Sequence, residues 1–241
     1  TSSGILNPLP EIAGTVADAG RSLLVDAMSS FGGVPFDTRE IPCDALVSSA
    51  NKCIEGVPGF GFILARRSVL AAAQGNAHSL ALDVHAQWAE MERSGQWRYT
   101  PPTHVVAAFL EALRLHAAEG GVAGRYARYS ANRDALVAGM RQLGFVTLLS
   151  DNWLSPVITT FHAPDDRAFD FRRFYDAMKS RGFIIYPGKL TRVDSFRIGH
   201  IGQLDPGVMR RVVEAVAESL RDMGVTHCQP SPESLQEGAI T

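Results

Sequence analysis

The chain has 241 residues, 46% of them hydrophobic and 20% charged, and a formal net charge of −2. That balance implies a soluble globular protein of one large or two smaller domains, and it excludes a disordered or fibrous chain. There are no long single-sign blocks and no apolar run near the roughly 20 residues of a spanning helix, so neither a nucleic-acid footprint nor a membrane is expected.

The opening stretch "TSSGILNPLP" lacks the charged head of a signal peptide and reads like the interior of a longer chain. Ser22–Asp26, Ala45–Ser49 and Phe60–Leu64 are short apolar runs with turn signals between them, the pattern of strands buried on both faces. Three such strands are few for an α/β domain, so further strands are expected upstream. From about Val69 the period becomes helical. Ser79–Arg93 predicts one helix, the proline-headed, glycine-ended stretch 101–120 a second, and Ala123–Leu143 a third. Two extended runs follow, Val157–Phe161 and Phe183–Tyr186, with a helix predicted over Phe169–Ser180 between them. Phe196–Gly199 reads as a last short strand and Pro206–Met223 as a closing helix. The polar, proline-containing tail predicts loose order. The expected organisation is 1–122 as the end of a major α/β domain with an interdomain helix, 123–225 as a smaller α+β domain, and 226–241 as tail.

Cys43, Cys53 and Cys228 are odd in number, widely spaced and without a CxxC, which predicts neither a disulfide framework nor a metal site. A reducing cytoplasm is the expected compartment. Only three of the 23 basic residues are lysines: Lys52, Lys179 and Lys189. Lys52 follows an apolar run, a placement that suggests chemistry. Asp26 is the first polar residue at the end of the preceding strand, the edge where ligands of open α/β sheets bind. Neighbouring strands lie about 4.8 Å apart, so an amine and a carboxylate would share one crevice. Pyridoxal phosphate needs such a pair, a lysine to carry its aldehyde and a carboxylate to keep its ring nitrogen protonated. An aspartate that caps a turn and a solvated lysine remain the plainer alternatives. Ser49-Ala50-Asn51-Lys52 with Ser150-Asp151-Asn152 also fits two of the three motifs of an acyl-serine hydrolase, but K-T-G is absent and Ser49 ends a strand-like run rather than opening a helix. The glycine-rich "GVPGFGF" precedes a strand, so the dinucleotide fingerprint fails.

Four blocks, "VDAMSSFGGVPFD" (25–37), "SSANKCIEGVPGFGFILAR" (48–66), "WRYTPPTHVV" (97–106) and "SFRIGHIG" (195–202), resemble the 2-aminoethylphosphonate–pyruvate transaminases of the class-V aminotransferases. The resemblance runs from Thr1 to about Met223. It implies the type I fold of pyridoxal phosphate enzymes, incomplete at its N-terminus, with a smaller α+β C-terminal domain. It further implies that Lys52 bonds the cofactor and moves the proton, that Asp26 faces the ring nitrogen, and that Ser2, Met28 and Asn51 line the cofactor. Thr100 is implied to reach the phosphate of a neighbouring subunit in a homodimer, and Arg197 to grip the acid group of the substrates 2-aminoethylphosphonate and pyruvate, with Lys189 a second candidate. An alanine– or serine–glyoxylate aminotransferase is the alternative within the fold, and a noncatalytic fragment is the alternative outside it.

Overall fold

A computed structural model describes residues 2–189 and 192–238. Thr1, where the resemblance begins, and Ala239-Ile240-Thr241, the end of the expected tail, lie outside the described residues. The chain divides into two compact units. The N-terminal unit comprises Pro8–Phe31 and Phe36–Ala118. The C-terminal unit comprises Thr1–Asn7, Gly32–Pro35 and Glu119–Thr241.

The N-terminal unit begins with helix α1 (Leu9–Asp18), headed by prolines, which the sequence reading misses. Strands β1 (Leu24–Asp26), β2 (Ala45–Ser49) and β3 (Gly61–Ala65) form a sheet in that order. β1 and β2 are parallel, with Asp26 opposite Val47, whereas β2 and β3 are antiparallel, with Ser49 opposite Gly61. Val25, Ala27, Cys43 and Leu46 make a small core on one face. Burial on both faces does not hold for the outer strands: Leu24 is 70% exposed and Leu64 is 51% exposed. Only β2 has neighbours on both edges.

Helices α2 (Arg67–Ala72), α3 (Val84–Ser94) and α4 (Thr103–Ala118) complete the unit. The predicted start of α3 at Ser79 is five residues early, because the Asp83 carboxylate accepts Ala86 N at 2.9 Å and caps the helix there. Phe109 of α4 meets Phe60 and Phe62 with ring centroids 5.2 and 5.6 Å away.

The C-terminal unit contains α5 (Gly121–Gln142), β4 (Ile158–His162), α6 (Phe171–Ser180), β5 (Tyr186–Pro187), β6 (Ser195–Gly199), α7 (Pro206–Met223) and α8 (Pro232–Gly238). Its sheet runs β4-β6-β5, antiparallel throughout. Phe161 and Phe196, opposite each other on one face, stack within a core closed by Phe145, Phe174, Met209 and Val216. β5 is shorter than expected because Phe183 N bonds Met178 O and Gly182 N bonds Lys179 O, so Phe183 finishes the end of α6 instead of opening a strand. α6 itself starts two residues late, capped by Asp170. The tail is more ordered than its composition predicts. Cys228 is buried in the core, Thr226 bonds the Asp166 carboxylate through N and Oγ1, and α8 follows.

The first residues of the chain form an edge on this unit. Leu6 N bonds Trp153 O and Ser155 N bonds Gly4 O, both at 2.9 Å. Gly4 has φ +88°, and a Cβ there would stand 2.7 Å from Ile158 O, so the close approach requires glycine.

Candidate active site

Parallel pairing puts the C-terminal ends of β1 and β2 at one edge of the N-terminal sheet, and the segments that leave them are tied together. Ala27 N bonds Val47 O at 2.9 Å, the buried Ser48 hydroxyl donates to Ala27 O at 3.2 Å, and the Cys53 thiol donates to Ser29 O at 3.2 Å. Asp26, Met28, Asn51 and Lys52 therefore belong to one neighbourhood. Asp26 is exposed at the end of its strand, with Oδ1 accepting Met28 N at 2.9 Å. This is a local turn, and it engages one of the two carboxylate oxygens of an exposed residue.

Lys52 stands in the return from β2 to β3. That return is anchored around it: Ala50 and Cys53 are fully buried and Ile54 nearly so. Glu55 N bonds Lys52 O at 2.9 Å, and Gly56 N bonds Ala50 O at 2.8 Å. A Cβ on Gly56 would come within 2.8 Å of that same carbonyl. Glu55 is the sole non-glycine residue with positive φ among those described, at 61°. Lys52 is half-buried and forms no ion pair among the described residues. An amine and an exposed carboxylate on segments that leave the same sheet edge are groups that fit an aldehyde-bearing ring with a basic nitrogen. The buried Cys43 thiol, at the opposite end of β2, has its pKa raised, chiefly by desolvation.

Thr100 is exposed on the segment leading into α4, and Met28 is half-buried while Asn51 is exposed. Ser2 and Arg197 lie in the other unit. Arg197 is central on β6, with Thr160 opposite on β4 and Tyr186 opposite on β5. Its Nε donates to Pro187 O at 3.0 Å, and its guanidinium lies 5.9 Å from the centre of the Tyr186 ring. Lys189 is exposed just beyond β5.

The loop that follows Arg197 is held from beneath. Buried Asn132 of α5 donates to His200 O at 3.2 Å and to Leu204 O at 3.0 Å, and Arg128 donates to Gly202 O. The Glu119 carboxylate binds Arg128 and the buried Arg125, both at 2.8 Å, and Arg128 as first cause with Arg125 behind it hold its pKa down against desolvation. His200 is fully buried. Its Nδ1 lies 2.9 Å from Pro156 O and its Nε2 lies 2.8 Å from Thr159 Oγ1. A carbonyl only accepts, so Nδ1 carries the proton and Nε2 accepts from the threonine. Burial pushes the His200 pKa down to about 4, so the ring is neutral at pH 7. Sequence reading misses these supports, since Asn132 and Arg128 look like ordinary polar positions on a helix.

The model of the class-V aminotransferases matches residues 1–178, and the chain belongs to that family, whose enzymes use pyridoxal phosphate. Its relatives include 2-aminoethylphosphonate–pyruvate transaminase 1 of Paraburkholderia xenovorans (strain LB400), 66% identical over 98% of this chain and 61% of the relative. The 2-aminoethylphosphonate–pyruvate transaminase of Rhizobium meliloti (strain 1021) is also 66% identical, over 99% of this chain and 62% of the relative. The chain thus spans about three-fifths of the length of these curated relatives. Among solved structures, pyridoxamine–pyruvate aminotransferase from Mesorhizobium loti matches 99% of the chain and 60% of its own with TM-score 0.85 and 25% identity. Ureidoglycine–glyoxylate aminotransferase from Bacillus subtilis matches 98% and 62% with TM-score 0.81 and 22% identity, a likeness of fold. The α/β fold is that of the type I pyridoxal phosphate enzymes.

Proposed function

We propose that this chain belongs to a pyridoxal phosphate-dependent transaminase that moves the amino group of 2-aminoethylphosphonate to pyruvate, giving phosphonoacetaldehyde and L-alanine in phosphonate degradation. The observation that carries the reaction class is the placement of Asp26 and Lys52 at one edge, beyond the parallel pair β1 and β2. The substrates are taken from the names of the relatives at 66% identity.

Pyridoxal phosphate supplies an electron sink when bound, its protonated ring accepting the electron pair left by a broken C–H bond. With the cofactor bound, Lys52 Nζ would hold its aldehyde carbon and, freed by the incoming amine, would serve as the base that moves the proton from the amino-bearing carbon of the substrate. The Asp26 carboxylate would keep the ring nitrogen protonated. Met28 would pack against the ring, Asn51 stands next to Lys52 in the chain, and Ser2 would bond the ring oxygen. Thr100 would reach the phosphate in a neighbouring subunit, so the working form would be a homodimer, and the free cysteines accord with a cytoplasmic compartment. Arg197 takes the acid group of both substrates, since a permanently charged planar fork serves a phosphonate and a carboxylate alike. Lys189 adds charge at the same place. In this reading 1–122 serve the cofactor-binding domain and 123–225 the small domain, with 226–241 after it.

The test is a coupled assay on the full-length protein, offering aminoethylphosphonate, alanine and serine against pyruvate and glyoxylate, together with borohydride reduction and peptide mapping. Turnover of aminoethylphosphonate with pyruvate and a reduced adduct on Lys52 are expected. Serine with glyoxylate as the sole productive pair would replace the substrates and keep the pair of residues. An adduct elsewhere, or none, would remove the mechanism.

A further inference from the structure

The reading above gives the substrate's acid group one firm partner, Arg197, and the face of the sheet on which it stands carries more. Antiparallel partners alternate between hydrogen-bonded positions and non-hydrogen-bonded ones, where Cα atoms approach to about 4.5 Å and side chains lie closer. Thr160 O accepts Leu148 N at 2.9 Å, so the Thr160 backbone points away from β6. Ser195 O, two residues before Arg197, accepts Gly188 N at 2.8 Å, so on β6 this register points toward β5 and away from β4. The Thr160–Arg197 pair is therefore the close, non-hydrogen-bonded kind, with both side chains on the face opposite the phenylalanine core.

Thr160 is 1% exposed, and its Oγ1 is buried without a hydrogen-bond partner among the described residues. His162, two residues on along the same face, is 2% exposed, with Nδ1 in the same condition. Burial lowers the His162 pKa and so favours its neutral form. Buried hydroxyls in native proteins are almost always bonded, and one that is not calls for a partner that binds there. Thr159, its neighbour in sequence, shows the contrast: it faces the other way and its hydroxyl is satisfied by His200.

We propose that Thr160 is a second recognition residue of the acid subsite, its hydroxyl donating to the substrate oxyanion that Arg197 holds. Pro187 O and the Tyr186 ring orient the guanidinium from the β5 side, while Thr160 serves from the β4 side. Phosphonate and carboxylate both carry lone pairs enough for the extra donor. The inference rests on the transaminase reading, because it takes Arg197 as the acid-group residue.

The test uses the full-length, cofactor-loaded enzyme with ethylphosphonate and propionate as unreactive probes, their Kd measured by calorimetry and steady-state kinetics measured alongside. Thr160→Val is expected to raise both Kd values, and KM for both substrates, roughly tenfold, as loss of one charge-assisted hydrogen bond does. Its kcat should stay within about twofold and its cofactor spectrum should not change, since the chemistry at Lys52 is untouched. Thr160→Ser should recover most of the affinity, and Thr159→Val should lower Tm with both Kd values unchanged. Should valine disturb folding, Thr160→Ala carries the same expectation. Wild-type Kd values in Thr160→Val, alongside loss of both probes in Arg197→Lys, would overturn the role of Thr160 and leave the transaminase reading standing. If the wild type turns over serine with glyoxylate and no phosphonate, the substrate reading falls instead, and propionate binding alone decides Thr160.

Discussion

His200 ties the stability of the C-terminal unit to pH in a way that can be worked from its surroundings. Its folded pKa is about 4 against an ordinary 6.5, with burial the first cause and the Pro156 hydrogen bond opposing it. A histidine whose folded pKa is depressed contributes stability that is present above 6.5 and is lost as pH falls toward 4, because the unfolded chain binds the proton first. The whole gap is worth about 3 kcal/mol, and about 2 kcal/mol of it is gone by pH 5. The group is fully buried, so solvent screening does not reduce the figure. His200→Gln removes the titration and, at pH 7.5, one of two buried hydrogen bonds, an expected loss of about 1–2 kcal/mol. Urea unfolding of both proteins between pH 7.5 and 5 should show the wild-type advantage shrinking steadily and vanishing or reversing near pH 5. His162 and the carboxylates titrate in both proteins and cancel in the difference. A difference that stays constant across this range would refute the reasoning.

Arg197→Lys keeps the charge but loses the paired donors, so kcat/KM should fall at least tenfold with aminoethylphosphonate and with pyruvate, measured as separate half-reactions. Asp26→Ala should weaken cofactor retention in equilibrium dialysis and slow turnover further in enzyme that is saturated with cofactor. Glu119→Ala removes the carboxylate shared by Arg125, 1% exposed on its side chain, and Arg128; an unfolding free energy lower by about 3 kcal/mol is expected, and less than 1 kcal/mol would show the pair to be incidental. Gly4→Ala forces a side chain into positive φ and against Ile158 O, which should lower stability by about 1–3 kcal/mol in the same assay.

What could be read from the sequence follows from where the signal lies. β2 is legible to the residue because its apolar run is bounded by turn chemistry, and α7 because Asp205 caps it, Pro206 opens it and Gly224 ends it at φ 79°. Lys52 and Asp26 are legible because a lone lysine and a strand-end aspartate depart from the pattern around them. α1 is missed although Leu9, Ile12, Ala13 and Val16 recur at helical spacing; it is short, follows the turn-like Asn7-Pro8, and buries only Ala13. Thr160 and Asn132 are missed for a deeper reason. Their meaning lies in pairing across β4 and β6 and in the loop that α5 supports, contacts between residues 37 and 72 positions apart that no local pattern records. The exposure of β1 and β3 was equally out of reach, since an apolar run does not say what covers it.

The same distinction explains the form of the Lys52 loop. β2 and β3 are antiparallel neighbours, and two residues would be enough to join such strands. Residues 50–60 are used instead. The added length holds buried Ala50, Cys53 and Ile54, a left-handed Glu55, and Gly56 pressed against Ala50 O. A lysine on a two-residue turn would have its backbone fixed only by the strands and its long stem free in water. Here the backbone is fixed on both sides of Lys52 by side chains that face inward, and the Cys53 thiol fastens the loop to the segment that leaves Asp26. Reactive groups that must meet within a few tenths of an ångström are best held by such packing. Buried Ala50, Cys53 and Ile54 thus fix the backbone from which the Lys52 amine extends.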